Sequence, residues 1–216
     1  MKKKIAICGA GGHGTEIQTI LEDINEEKPA WDIIGYYDPG LPKGEVVRGL
    51  PVLGSDGDLL EADERICVAI AVGNIPIRVK IHEKLSRNSN LSFPTLVHPL
   101  AYVARGAELG GGCVVFPFAM IWSGALLGEM VFVGGGAQVS HHVTVGDYSM
   151  LMPHAIALGN TRVGKNVLLG ANSTVLQGVS IGDGATIGMG SVVLGDVRWG
   201  ATAVGNPARV IKADGG

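Results

Sequence analysis

Apolar residues recur at every sixth position from Val97 toward the C-terminal end of the chain, with no insertion. The register runs Val97, Val103, Leu109, Val115, Ile121, Leu127, Val133, Val139, Val145, Leu151, Ala157, Val163, Leu169, Val175, Ile181, Ile187, Val193 and Trp199. Only Ala157 and Trp199 depart from Val, Leu or Ile. The fourth residue after each is small or β-branched, from Ala101, Ala107 and Cys113 to Val197 and Ala203. A fixed short period held this long marks a parallel β-solenoid, in which each coil stacks only on its neighbours. Six residues make one flat side and a corner, and three sides make a coil. Residues one coil apart then stack at about 4.8 Å. The aliphatic and small positions both point inward, into an interior that takes one large side chain per side.

Sorting the outward positions by coil separates the three sides. Gly110, Gly128, Gly146, Gly164, Gly182 and Gly200 form one corner column, where glycine suits a positive φ angle. A second column, Ala104, Trp122, Ser140, Leu158, Leu176 and Leu194, points outward yet is mostly apolar. Such a stripe implies cover by another subunit. A three-sided prism offers adjacent faces to two neighbours, so a homotrimer is expected. The third column, Pro99, Pro117, Gly135, Pro153, Ala171 and Met189, is small or rigid and suits the wall of a ligand cleft.

The pattern is different before the repeat. Lys4 to Cys8 reads as a buried strand, followed by Gly9-Ala10-Gly11-Gly12-His13-Gly14 and a helical spacing through Ile17, Ile20, Leu21 and Ile24. Trp31 to Tyr37, ending at Asp38, and Ile66 to Val72, ending in Gly73-Asn74, read as further strands. A helix carrying Ile77, Ile81 and Leu85 follows. Alternating strand and helix predict a small parallel α/β unit. Residues 1–94 are therefore expected as one domain and 95–212 as the solenoid, with almost no linker. Gly9, Gly11 and Gly14 fit G-x-G-x-x-G between strand and helix, where bare backbone can approach a phosphate at a helix N-terminus. Asp38 ends the next strand, where a ribose or base would be met. A tight turn without ligand is the alternative. The unit is too short for two mononucleotide halves, so a single nucleotide or nucleotide-sugar fits better than a dinucleotide.

Composition narrows the function classes. The formal net charge is −3, so no basic field draws the chain to nucleic acid. Three cysteines, Cys8, Cys67 and Cys113, lie in apolar runs and read as reduced thiols of a cytoplasmic protein. The apolar run after Lys2-Lys3-Lys4 stops at Gly9, too short for a secretory signal, and no stretch is long enough to span a membrane.

His141 and His142 occupy the second and third positions after Val139, on the side that carries the apolar stripe. One coil above them are Gly159 and Asn160, and one coil below are Ser123 and Gly124. A histidine can serve as general base, and a glycine amide one strand away can hold an oxyanion without crowding. Two polar corner residues are the bland alternative. A zinc site built from histidines of neighbouring subunits is the other, but the prism histidines offer no pair one or two coils apart. No metal is expected.

These landmarks together resemble a known family: the bacterial sugar O- and N-acyltransferases. It includes the sialic acid O-acetyltransferase type and the nucleotide-4-amino-sugar N-acetyltransferases of the UDP-bacillosamine and GDP-perosamine pathways. The resemblance rests on residues 7–14, Gly35-Tyr36-Tyr37-Asp38, residues 49–54 and Ala69-Ile70-Ala71-Val72-Gly73-Asn74 with Arg78. It continues through Val97-His98-Pro99, residues 139–147 and Val204-Gly205-Asn206-Pro207-Ala208-Arg209. It implies a left-handed parallel β-helix (a hexapeptide-repeat prism) preceded by a small Rossmann-like α/β domain. It also implies a homotrimer with acetyl-CoA as acyl donor in the groove between two prisms. By position His141 matches the family's general base, and Gly159 the glycine whose amide holds the acetyl carbonyl. Gly11, Gly12, His13, Asp38 and Gly73 match sugar-nucleotide contacts, and Met150, Gly159, Ala171 and Met189 match CoA contacts. Two positions depart from the pattern. His142 stands where an acidic residue usually follows the catalytic histidine, and Pro39 stands where a second aspartate usually follows Asp38.

The activity this implies is acetyl transfer to the amine of a nucleotide-linked 4-amino-4,6-dideoxy sugar, directly and without an acyl-enzyme. O-acetylation of sialic acid or a related sugar is a nearby alternative. A catalytically inactive trimeric sugar-nucleotide-binding protein is an alternative of another class, favoured only by His142.

Overall fold

The computed structural model describes residues 2–212. The chain divides into two compact units, Met1–Pro99 and Leu100–Gly216.

The first unit is a twisted sheet with helices. Its elements are β1 (Lys3–Cys8), α1 (Gly12–Glu27), β2 (Trp31–Tyr37), β3 (Val46–Val47), β4 (Leu50–Gly54), α2 (Asp56–Leu60), β5 (Ile66–Ile70), α3 (Ile75–Leu85) and β6 (Leu91–Ser92). The sheet order is β3-β4-β2-β1-β5-β6. All neighbours are parallel except β3, which pairs antiparallel with β4. β1 is central, and Ile5, Ala6, Ile7 and Cys8 are all buried, as a strand covered on both faces requires. Burial pushes the Cys8 thiol up to about 12. α1 buries Ile17, Ile20 and Leu21, the stripe expected of it. Ser55 caps α2 in a reciprocal capping box with Asp58, and Asn74 caps α3 by accepting from Ile77 N–H. β2 and β5 flank β1, so the strand order reverses there. Loops 9–11 and 71–74 leave the strands on either side of that switch point, where open α/β sheets bind ligands.

The hairpin β3–β4 and helix α2 were not anticipated from the hydrophobic pattern. His98 is buried, with Nε2 2.8 Å from Asp23 Oδ2. His82 is half-buried with its ring edge-on to Phe93 at 4.5 Å.

In the second unit the hexad becomes a stack of two-residue parallel strands, each ending on its aliphatic residue. Val114–Val115 pairs with Phe132–Val133, which pairs with Met150–Leu151, and so on one coil at a time. Val115, Ile121, Val139, Leu151, Leu169, Val175 and Ile187 are wholly buried.

Two expectations about this unit need correction. The first concerns the glycine column. Gly110, Gly128, Gly146, Gly164 and Gly182 do not adopt positive φ. They are glycines because the next coil leaves no room: a Cβ on Gly110 would lie 2.6 Å from Gly128 O, and one on Gly146 2.6 Å from Gly164 C. The left-handed residue is instead the third after each inward aliphatic. Gly112, Gly124, Gly136, His142, His154, Asn160, Asn166 and Asn172 all have φ between 56° and 73°. Asn and Gly tolerate that region best.

The second correction is to the register of the last coil. Ile181 bridges to Val197, and Ile187 pairs with Ala203, each sixteen residues apart rather than eighteen. The side after Val193 is two residues short. Val197 takes the inward place, Ala201 the small place and Gly200, at φ 62°, the left-handed corner. Trp199 is 65% exposed, since the narrow interior has no room for an indole. Asp196 Oδ1 accepts from Ser180 N–H at 2.8 Å, satisfying a donor on the shortened side. An antiparallel hairpin of Thr202–Gly205 and Ala208–Lys212 closes the stack.

Tyr102, Trp122, Leu176 and Leu194 are exposed along one prism face, with the Tyr102 and Trp122 rings 5.3 Å apart. Ala104, of the same column, is buried and Leu158 half-buried. Among the described residues no helix is long and apolar enough to cross a membrane.

Candidate functional site

The glycines of the first unit fall into two groups. Gly9 has φ +109°, and a Cβ there would lie 2.7 Å from Ala71 O. Gly14 closes on the Gly9 carbonyl. Packing demands both. Gly11, Gly12 and Gly73 face open space, with no heavy atom within 4 Å of where a Cβ would stand. None has positive φ. Nothing in the fold excludes a side chain at these three positions; Gly11 and Gly73 lie on the two loops flanking the switch point, and Gly12 opens α1. Gly11 is also the N-cap of α1; no side chain caps the helix and its first turn holds no acidic residue. The N-terminal amides of a sixteen-residue helix therefore open onto a bare surface that favours an anion.

His13 sits in that first turn, half-buried, with Nδ1 3.3 Å from Glu16 Oε2. Burial holds its pKa below the usual histidine value and the charge of Arg78 pushes the same way, while Glu16 opposes both. Arg78 is 3% exposed and was not among the expected site residues. Its signal was present: it shares a helical stripe with Ile81 and Leu85, a cation on a core face. Asp38 is committed largely to the backbone. Its Oδ2 accepts from Ala10 N–H and its Oδ1 from Gly40 N–H, both at 2.8 Å. It thus ties the end of β2 to the glycine loop.

In the prism, His141 and His142 are adjacent and exposed, but their rings diverge. His141 lies over Gly159, one coil on: a Cβ on Gly159 would be 2.5 Å from Nε2 and 3.0 Å from Nδ1. His142 leans the other way, with its Cδ2 2.8 Å from where a Gly124 Cβ would be. The two Nδ1 atoms face each other at 3.3 Å, with ring planes at 76°.

Gly159 is buried, and its carbonyl accepts from Gly178 N–H at 3.0 Å. Its own amide occupies the second position after an inward residue. At the equivalent position on the neighbouring corner, Glu129 and Lys165 donate their N–H outward to Asp147 and Asp183, each at 2.9 Å. At Gly159 no such carboxylate stands above. The residue one coil above Gly159 is Gln177.

The expected CoA residues lie on the next corner of the stack. Met189 is 81% exposed, Ala171 half-buried, and the Gly190 corner beside them faces open space. Met150 is buried between its strand partners Phe132 and Leu168. Among the described residues no group of three or more His, Cys, Asp or Glu is placed to hold a metal.

A hexad prism with a histidine laid over a corner glycine is joined in one chain to a glycine-loop α/β unit. The PglD N-terminal domain family matches residues 4–85, and the hexapeptide repeat of succinyl-transferase matches residues 160–194. The acetyltransferase domain of PglB from Neisseria gonorrhoeae FA1090, in complex with acetyl coenzyme A, is 32% identical at a TM-score of 0.90, over 98% of this chain and 100% of that one. A structure of a histidine-to-asparagine mutant of perosamine N-acetyltransferase from Caulobacter crescentus, with CoA and GDP-perosamine, is 26% identical at a TM-score of 0.87, over 98% and 97%. UDP-N-acetylbacillosamine N-acetyltransferase of Bacillus subtilis (strain 168) is 30% identical over 113 residues, 52% of this chain. That match spans about half, 51%, of the curated relative's length. The chain belongs to the hexapeptide-repeat sugar acyltransferases with a PglD-type N-terminal domain, a left-handed β-helix family.

Proposed function

We propose that this protein transfers the acetyl group of acetyl-CoA to the amine of a nucleotide-linked 4-amino-4,6-dideoxy sugar. The observation that carries the reading is the imidazole of His141 laid against Gly159 at an outward-facing corner. His141 Nε2 takes a proton from the amine as its nitrogen attacks the thioester carbon. The oxyanion formed receives the Gly159 N–H. Collapse expels the CoA thiolate, which takes the proton back from the imidazolium. No acyl-enzyme forms. The relatives point the same way, since the Caulobacter protein was crystallised with CoA and GDP-perosamine and with a histidine replaced.

The acceptor's diphosphate lies at the N-terminus of α1, against Gly11, Gly12 and Gly73. His13, whose pKa burial lowers, stands in the same first turn. Asp38 shapes the loop and keeps its remaining lone pairs for the nucleoside. Bound acetyl-CoA supplies the acyl group along the corner of Ala171 and Met189, where Gly190 leaves a cradle unfilled. Met150, the outward residue before Leu151, is already buried in the single chain. The exposed face of Tyr102, Trp122, Leu176 and Leu194 packs against neighbouring copies in a homotrimer.

Acetyl-CoA offered with a panel of UDP-, GDP- and dTDP-linked amino sugars, with release of free CoA followed, tests the reading. Turnover on one amine acceptor is the expected result. Turnover only on hydroxyl acceptors, or on none, sinks it.

A further inference from the structure

The two Nδ1 atoms of His141 and His142 stand 3.3 Å apart. A hydrogen bond between them requires one to carry a proton and the other a lone pair. If His142 Nδ1–H donated, neutral His141 would carry its own proton on Nε2. The nitrogen over Gly159 would then be blocked. If His141 Nδ1–H donates, Nε2 is a bare lone pair. The same bond then persists when Nε2 gains a proton, because the imidazolium still donates from Nδ1. Resting on the general-base reading above, the geometry points to His142 as a positioning residue: its Nδ1 lone pair fixes His141 in the Nδ1–H tautomer. The partner of a functional histidine sets its tautomer in this way, and is more often a carboxylate or carbonyl.

The backbone explains how His142 is held in place. It lies at φ 56°, one of the left-handed corner positions, and its ring folds back over Gly124. This turns its Nδ1 edge toward His141 and leaves the rest of the ring to solvent. Because the acceptor is uncharged, the imidazolium formed at His141 has no counter-charge from it.

The corner column supplies two substitutions free of backbone strain. Gly124 occupies the corner one coil below at φ 73°, and Asn160 the corner one coil above at φ 60°. His142→Gly removes the acceptor. His142→Asn keeps one, because the Asn Oδ1 is as many bonds from Cα as the histidine Nδ1. Nitrogen NMR of the full chain labelled at histidine reads the tautomer without any substrate. The expected wild-type result is a protonated Nδ1 and a bare Nε2 on His141. In His142→Gly the proton redistributes onto Nε2, and kcat falls about 10- to 100-fold, the scale of losing a partner that orients a functional imidazole. The KM for acetyl-CoA stays put. His142→Asn recovers most of the lost kcat. A protonated Nε2 in the wild type, or a His142→Gly enzyme with wild-type kcat, overturns the assignment. The expected tautomer in a chain that acetylates no sugar upholds the positioning role and counts against the general-base reading instead.

Discussion

Two sets of glycines, one from each unit, do opposite work. In the prism, Gly110, Gly128 and Gly146 are filled by the backbone of the coil above, and Gly159 is covered by the ring of His141. In the α/β unit, Gly11, Gly12 and Gly73 have nothing against them. A glycine that packing requires reports on the fold. One that packing does not require reports on something the fold must leave room for. By this criterion the crowded prism glycines report packing, and Gly11, Gly12 and Gly73 mark the site proposed on the α/β unit.

The comparison breaks most sharply at His141. His141→Ala should lower kcat by about 10² to 10⁴, the range for loss of a general base, with KM for acetyl-CoA little changed. Steady-state kinetics with the best acceptor check this. A variant with wild-type kcat would leave Gly159 covered for packing alone.

Next in size is Gly146→Ala, which forces a methyl to within 2.6 Å of the Gly164 carbonyl carbon. It should destabilise by about 1–3 kcal/mol through overpacking, read as a lower urea midpoint. The kinetic constants of the surviving folded enzyme should not move.

Gly12→Ala sharpens the contrast from the other side. Its Cβ meets nothing and the site is helical, so stability should rise by as much as about 1 kcal/mol. The KM for the nucleotide-sugar should rise at the same time, because the methyl stands where the diphosphate approaches. Gain of stability with unchanged KM would remove the diphosphate from α1.

The smallest expected effect is a titration. Asp147 is held below the usual carboxylate range, first by its hydrogen bond to Lys165 and then by the Glu129 amide. A depressed folded pKa means stability that is complete above the unfolded value of about 3.9 and lost as pH falls through the folded one. Acid unfolding of Asp147→Asn should therefore be less steep below about pH 4 than that of the wild type.

Much of this was legible in the sequence because the period is rigid. A repeat of eighteen places His141 beneath Gly159 without coordinates. The switch-point loops follow from a glycine run after a buried strand. Other features were hidden for physical reasons. Val197 and Trp199 are both apolar, so the last coil's two-residue shortening left the hexad apparently intact; the decisive clue, Gly200 at a left-handed corner, depends on the fold. The opposite lean of the two histidine rings is a matter of side-chain torsions, which spacing does not encode. The separation of Gly9 and Gly14 from Gly11 and Gly12 needs the positions of Ala71 and the Gly9 carbonyl, which come from another strand and a turn.

The closing hairpin bears on what happens beyond a single molecule. A parallel solenoid ends in an open ladder, a template on which another chain can lengthen the stack. Here the side between Val193 and Val197 is two residues short, and Ala208–Lys212 runs antiparallel along Thr202–Gly205. The exposed strand that results carries Arg209 and Lys212, and its direction is wrong for the next parallel rung. On this one side of the prism the reversed strand offers a further parallel coil no matching rung.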